Sequence, residues 1–376
     1  MDRRTFFKMA MLVVASLMSL ITGGLWSFLK QAKFGASPNN QRLERIRKSP
    51  NFRDGKFQNK LLTPVMTGEK GGLAVTLQFI FNRNKRRRPK DPIPSVRRDL
   101  RHLDPAENLL VWFGHSSYFL QVEGKRILVD PVLSGNASPV SFTTRAFDGT
   151  DPYKVDDLPD VDFLFITHDH WDHLDYETMT RLRPRVKKVI CGLGVGAHLE
   201  KWGYDPRSIE EGDWGDRIAL EDGFTAHILP ARHFSGRALQ RNMTLWASFA
   251  LQTSRGYKIY LGGDGGYGPH FKEIGEQFGY FDLAVLENGQ YDPSWKYIHM
   301  MPEETLQAAK DIRASLILPV HNSKFCISNH DWDAPLRSIT SSAGQMRPML
   351  ITPLIGEVVP ICNPSPKSTA WWTTIA

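Results

Sequence analysis

Phe165-Ile166-Thr167-His168-Asp169-His170-Trp171-Asp172-His173 decides how the rest of the chain is read. An apolar run ends at Ile166, and its polar continuation sets His168 and His170 at i and i+2, on one side of an extended backbone. A turn into the helix expected from Tyr176 swings Asp172 and His173 toward the same point. Imidazole and carboxylate are the ligands that Zn²⁺ and Fe²⁺ prefer, and four of them within six residues can serve two adjacent ions but crowd one. Asp169, in the middle of the His-x-His pair, points away from the flanking imidazoles and is expected to hold the loop.

Outward from this stretch the chain alternates two patterns. Short β-rich runs bounded by turns cover 109–113, 118–122, 126–129, 163–167, 186–191, 224–229, 245–252, 258–262, 283–286, 315–320 and 349–352. Helical patterns fall between them, notably 177–182, 271–278 and the stretch 302–312 opened by Pro302-Glu303-Glu304. Strands interleaved with helices predict an α/β layered fold. The two halves are expected to meet near residue 215. Three further metal-ligand types each follow an apolar run: His233 in Pro230-Ala231-Arg232-His233, Asp264 in Gly262-Gly263-Asp264-Gly265, and His321 in Leu318-Pro319-Val320-His321.

Composition fits a globular body, with 41% hydrophobic, 23% charged and 11% aromatic residues over 376 positions, which argues against disorder, collagen or coiled coil. Cys191, Cys326 and Cys362 form no Cys-x-x-Cys pair, so a disulfide scaffold and a thiolate zinc site are both unsupported. No short repeat is present, which excludes solenoids and propellers.

The first quarter of the chain is different in kind. From Met9 to Leu29 no charged residue occurs over 21 positions, enough for a helix of about 31 Å. Arg3-Arg4-Thr5-Phe6-Phe7-Lys8 precedes it and resembles a twin-arginine export signal. Phe34-Gly35-Ala36 is a poor cleavage site, so an uncleaved N-terminal anchor in a bacterial inner membrane is expected, with the body periplasmic. The basic residues that follow the segment argue for the cytoplasmic side instead. The net charge of +7 is concentrated in Arg83, Lys85, Arg86, Arg87, Arg88 and Lys90 and in Arg42, Arg45, Arg47 and Lys48. Near an apolar segment, anionic lipid headgroups are as natural a partner for these as phosphodiester backbones. The cluster lacks interleaved aromatics for base stacking, which argues against nucleic acid.

The His168-x-His170-x-Asp172-His173 pattern, followed in order by His233, Asp264 and His321, resembles the signature of the metallo-β-lactamase superfamily. The resemblance implies a four-layer αβ/βα sandwich and two Zn²⁺ ions, with iron or manganese as alternatives. It places His168, His170 and His233 on one ion, Asp172, His173 and His321 on the other, and Asp264 between them, with a shared water completing both. A narrower resemblance, over roughly 105–362, is to the N-acylphosphatidylethanolamine-hydrolysing phospholipase D branch. It rests on Trp112-Phe113-Gly114-His115-Ser116-Ser117, Leu128-Val129-Asp130-Pro131-Val132, Asn136-Ala137-Ser138-Pro139, His173-Leu174-Asp175-Tyr176, Gly263-Asp264-Gly265-Gly266-Tyr267 and His299 before Met300-Met301-Pro302. Leu286-Glu287-Asn288-Gly289-Gln290 and His321-Asn322-Ser323 depart from that branch's pattern near the expected site.

The resemblance makes Asp172, His173, Asp264 and His299 the catalytic set. His115, Asp130 and Glu287 stand behind the ligands or against substrate, Asp130 by orienting a ligand histidine. The organisation expected is an anchor or twin-arginine-like signal over 1–30, a basic Pro-rich lead-in wrapping the core over 31–105, the metallo-hydrolase domain over 106–365 and a tail over 366–376. The activity implied is hydrolysis of a glycerophospholipid phosphodiester by a hydroxide shared between two metals. A lactone or other acyl bond, or a nucleic-acid phosphodiester, is the alternative on the same centre.

Overall fold

A computed structural model of the chain describes residues 22–67, 81, 83–237, 239–361 and 369–376. The apolar run Met9–Leu29 lies mostly outside them; its described end, 22–29, is helical. Among the described residues no helix is long and apolar enough to cross a membrane.

Two mixed sheets carry the fold, preceded by a small hairpin, β1 (Phe52–Arg53) and β2 (Lys56–Phe57). The first sheet holds β3 (Leu109–Trp112), β4 (Tyr118–Val122), β5 (Lys125–Val129), β6 (Val161–Ile166), β7 (Val186–Gly192) and β8 (Ile209–Gly212). The second holds β9 (Arg217–Ala219), β10 (Thr225–Leu229), β11 (Ser248–Gln252), β12 (Lys258–Leu261), β13 (Phe281–Glu287) and β14 (Ala314–Val320). The strand order is β15-β3-β4-β5-β6-β7-β8 in one and β14-β13-β12-β11-β10-β9 in the other, where β15 is Val358–Pro360. The changeover between sheets falls between 212 and 217, but β15 returns to the first sheet and pairs with β3, so the halves are not separated cleanly at 215.

Side-chain alternation explains the layering. In β6, Phe163 and Phe165 turn inward to the space between the sheets, where Phe165 meets Phe249 of β11 at 5.1 Å between ring centroids. Leu164 and Ile166 turn outward and pack with Met179, Leu182 and Leu199 from helices Tyr176–Leu182 and Gly196–Lys201. The second sheet repeats the arrangement: Ala284 and Leu286 face helices His270–Phe278, Pro302–Asp311 and Ala334–Ser342, while Leu283 and Val285 face the other sheet. Each fully buried Phe or Leu contributes roughly 1.5–3 kcal/mol of burial energy to this stack.

The run 349–352 does not form a strand. Gly344–Met349 winds into a 3-10 helix, and only Leu350 bridges to Ile317.

Residues 31–67 lie along the body. Arg42, in helix Asn40–Lys48, forks between Glu200 and Glu211 (2.6 and 2.7 Å), so this cation is held internally. The stretch 32–36 clasps the back of the 168–173 loop: Trp202 Nε1 donates to Ala32 O (2.7 Å), Arg237 donates to Lys33 O (2.9 Å), and Ala36 N donates to His198 Nδ1 (3.1 Å).

Candidate metal centre

The parallel strands of both sheets end at one place. Asp130 follows β5, His168 follows β6, Asp264 follows β12, Glu287 ends β13 and His321 follows β14. A group held there by one strand is met by groups from its neighbours, the usual address of sites in such sheets. Several residues at or near these strand ends adopt left-handed backbone: His115 (φ 53°), Asp130 (41°), Gln290 (55°) and His321 (67°). Each such residue costs of order 1–3 kcal/mol and persists because its surroundings fix it. His115 and His321 lock each other's turns, through His321 N to His115 O (3.0 Å) and His115 N to Asn322 O (2.9 Å).

The side chains fall into two adjoining sets. In the first, His170 Nδ1 lies 2.9 Å from His168 Nε2 and 3.2 Å from His233 Nε2. In the second, Asp172, His173 and His321 converge with His115. Asp264 lies between the sets: its Oδ2 is 3.1 Å from His173 Nε2 and 3.9 Å from both His168 Nε2 and His233 Nε2, while Oδ1 is 3.2 Å from His321 Nδ1. His173 Nδ1 donates to Asp130 Oδ2 (2.7 Å), and Asp130 also accepts from Thr167 N (2.8 Å). His115 Nε2 contacts Asp172 Oδ2 (2.8 Å). Ser116 Oγ, within the 112–117 stretch but given no role of its own by the sequence, lies 3.0 Å from His321 Nδ1.

The donor chemistry fits cations. His233 Nδ1 must donate to Ile298 O (2.9 Å), which only accepts, so in the neutral ring Nε2 turns a bare lone pair toward the other imidazoles. Burial, reinforced by the crowding of neighbouring imidazoles, holds His168 and His233 well below the usual histidine range, so protons do not fill the gap. Burial likewise pushes the Asp264 carboxyl up to about 6, opposed by His173, and its Oδ1 has no hydrogen-bond partner. Burial opposes protonation of His173 too, but Asp264, Asp172 and Asp130 outweigh it and hold the ring well above the usual range. Facing lone pairs and an orphaned buried carboxylate oxygen are what divalent ions would satisfy.

Asp169 makes no approach to this cluster. It accepts from Gly236 N (2.7 Å), Thr244 Oγ1 (2.9 Å) and His198 Nε2 (3.2 Å), and Arg237 donates to its carbonyl (2.9 Å). His198, which carries no motif in the sequence, is thus the link from Ala36 to the motif loop.

A cavity of about 220 Å³ opens onto the cluster, with His170, Asp172, His233, Asp264, His299 and His321 at its floor. Its walls are Val65, Met66, Phe234, Trp295, Ile298 and Ile327. These wall residues carry no pattern that sequence reading could have detected, least of all Val65 and Met66, which lie about a hundred positions upstream of the motif. His299 Nδ1 bonds Glu287 Oε2 (2.9 Å), and the other Glu287 oxygen accepts from Met300 N. Burial pushes the Glu287 carboxyl well above, and His299 below, their usual values.

Comparison with known proteins agrees with this geometry. The family described as "Beta-lactamase superfamily domain" matches residues 125–322. An uncharacterized protein of Mycobacterium tuberculosis is 37% identical over 328 residues, covering 86% of this chain and 87% of its own. N-acyl-phosphatidylethanolamine-hydrolyzing phospholipase D 1 of Caenorhabditis elegans is 34% identical over 223 residues, 56% of this chain and 62% of its own. Among solved structures, a possible metal-dependent hydrolase from Veillonella parvula aligns with a TM-score of 0.53 at 16% identity, over 68% of this chain and 100% of its own. CmlA, a diiron β-hydroxylase from Streptomyces venezuelae, aligns at 0.51 and 18% identity over 68% of this chain and 55% of its own; both likenesses are of fold. With its αβ/βα sheets and a candidate metal-binding His/Asp cluster at their shared edge, the chain belongs to the metallo-β-lactamase superfamily of metal-dependent hydrolases.

Proposed function

We propose that the protein hydrolyses the phosphodiester of a glycerophospholipid, in the manner of an N-acylphosphatidylethanolamine phospholipase D, from an N-terminally anchored position on a bacterial inner membrane with its body in the periplasm. The observation that carries the reading is the pair of adjoining donor sets with Asp264 between them beneath an apolar-walled cavity. His168, His170 and His233 would hold one ion and Asp172, His173 and His321 the other, with Asp264 shared. Bound there, two divalent cations, zinc or alternatively iron or manganese, supply Lewis acidity for the phosphoryl oxygens and for water. The likeness to the C. elegans enzyme supports the lipid, and the aliphatic and aromatic walls suit its chains.

The chain's own groups then manage the proton. Glu287 and His299, each driven by burial toward its neutral form, share one proton across Oε2 and Nδ1. As a P–O bond breaks, His299 gives its Nε2 proton to the departing oxygen and takes the Glu287 proton at Nδ1. The Met300 amide stabilises the carboxylate so formed. Trp295, Ile298 and Ile327 exclude bulk water from the floor.

A second reading, cleavage of a lactone or other acyl bond, is favoured by one observation: in the stretch that departs from the phospholipase D branch's pattern, Gln290 lines the cavity and Glu287 bonds His299 from behind its floor. The deciding experiment assays purified protein on N-acylphosphatidylethanolamine, a generic bis-phosphodiester and a lactone panel, with metal analysis. Turnover of the phospholipid is expected, and both turnover and bound metal should vanish in His168→Ala/His170→Ala. Diester turnover surviving in that variant, or a parent enzyme active on lactones alone, sinks the proposal.

A further inference from the structure

The two lips of the cavity differ in chemistry. One lip is 61–67. It is pinned by Arg232, which donates to Leu62 O (3.1 Å), and by Thr67 N to Ser294 O (2.7 Å). Val65 and Met66 of this strip line the cavity, while Leu62 is 91% exposed and Leu61 is exposed beside it. Among the described residues Leu62 is left uncovered, while Leu61, 42% exposed, keeps part of its side chain against the body near Arg232 and His270.

The other lip is the loop 326–333. Ile327 lines the cavity, and the loop carries the start of the basic segment: Asn84 N donates to Asn329 Oδ1 (2.8 Å), and Asn84 Nδ2 donates to Asp331 Oδ1 (2.7 Å). Arg86 is paired with Asp331 and Asp333 (2.9 and 3.3 Å), and Arg88 donates to the carbonyls of Arg145 and Ala146. Arg83, Lys85 and Arg87 have no ion-pair partner among the described residues, and Arg83 and Arg87 are close enough to bear on the Cys326 thiol.

We propose that this mouth is a docking face for an anionic lipid bilayer, with Leu61 and Leu62 entering the headgroup boundary and Arg83, Lys85 and Arg87 meeting lipid phosphates. The proposal rests on the phospholipid reading above and gives it a direction of approach: substrate enters sideways from the bilayer past Met66 and Ile327. Charge complementarity selects the partner. Unpaired cations at one lip attract any polyanion, but the bare aliphatic side chains at the other are suited to hydrocarbon. A soluble polynucleotide would leave Leu61 and Leu62 in water.

The test uses the full chain reconstituted in vesicles, with an environment-sensitive dye on Leu62→Cys in a Cys326→Ser/Cys362→Ser background. In phosphatidylcholine vesicles containing about one third phosphatidylglycerol, quenching by spin-labelled lipid is expected. It should weaken several-fold in phosphatidylcholine alone, and also when Arg83, Lys85 and Arg87 are all changed to Gln. Circular dichroism and metal content should stay unchanged. A dye that stays aqueous in anionic vesicles overturns docking, as does quenching indifferent to the triple substitution. Displacement of the basic lip by RNA with no response to phosphatidylglycerol also overturns it, in favour of nucleic acid. Turnover of a dispersed short-chain phosphodiester is read in parallel. Docking lost with that turnover kept overturns docking alone, and docking kept without diester turnover overturns the substrate reading alone.

Discussion

Asp130 touches no cavity, yet it fixes which face of His173 looks toward Asp264, because Nδ1 is committed to its carboxylate. Partners of this kind are worth roughly 10–100-fold in metal affinity. Asp130→Asn should therefore weaken metal retention against a competing chelator by about that factor while the fold persists; unchanged retention would show that Thr167 alone orients the loop. Glu287→Gln is the complementary test. It keeps the shape and the Met300 hydrogen bond but cannot surrender a proton, so kcat should fall by about 10² or more with KM and metal content unchanged. A proportional loss of metal would place Glu287 in the fold rather than the reaction. At this scale legibility followed distance along the chain. His168, His170, Asp172 and His173 sit in one loop and declare themselves by spacing. The contact of Ser116 with His321 spans 205 positions and leaves no local trace.

Helix His270–Phe278 opens with a buried histidine at its N-terminus, where the helix dipole already disfavours a cation. Burial first, then Lys60 and Arg232 nearby, push the His270 imidazole down to about 4, against about 6.5 in an unfolded chain. The unfolded state therefore binds the extra proton between those two values. Stability should decline as pH drops from about 6.5 toward about 4, by up to ~3 kcal/mol, and level off below. Urea midpoints across that range should show a shallower decline in His270→Gln than in the parent; parallel profiles would remove His270 as a cause. At the clasp, Gly35 has φ +73°, and a Cβ there would meet His198 Nδ1 at 2.0 Å. Gly35→Ala should cost about 1–3 kcal/mol, read as a lowered denaturation midpoint. Elements were legible where periodicity is long. β6 and β14 show clear apolar runs, whereas β8 (Ile-Glu-Glu-Gly) and β9 (Arg-Ile-Ala) are short and polar because each sits at a sheet edge. The run 349–352 has strand composition, but the preceding 3-10 turn delivers only Leu350 to the sheet.

Across the whole molecule, donors from β5 and β6 meet donors from β12 and β14, so an ion held between them ties the two sheets together. Chelation should lower Tm by about 5–10 °C, the shift expected when a ligand at roughly a hundred times its Kd is withdrawn, and zinc or manganese should restore it. A Tm indifferent to both would mean that the sheets carry the cluster without help. The layered architecture was legible because strand and helix patterns alternate through the chain. The passage of 61–67 along the cavity lip was not, since an apolar pair after a proline says nothing about which surface it will reach. The clasp at 32–36 has a mechanical corollary. Strain applied at residue 30 would pass through Ala36 and His198 to Asp169, which pins the His-x-His turn, by a path of two hydrogen bonds that bypasses both sheets.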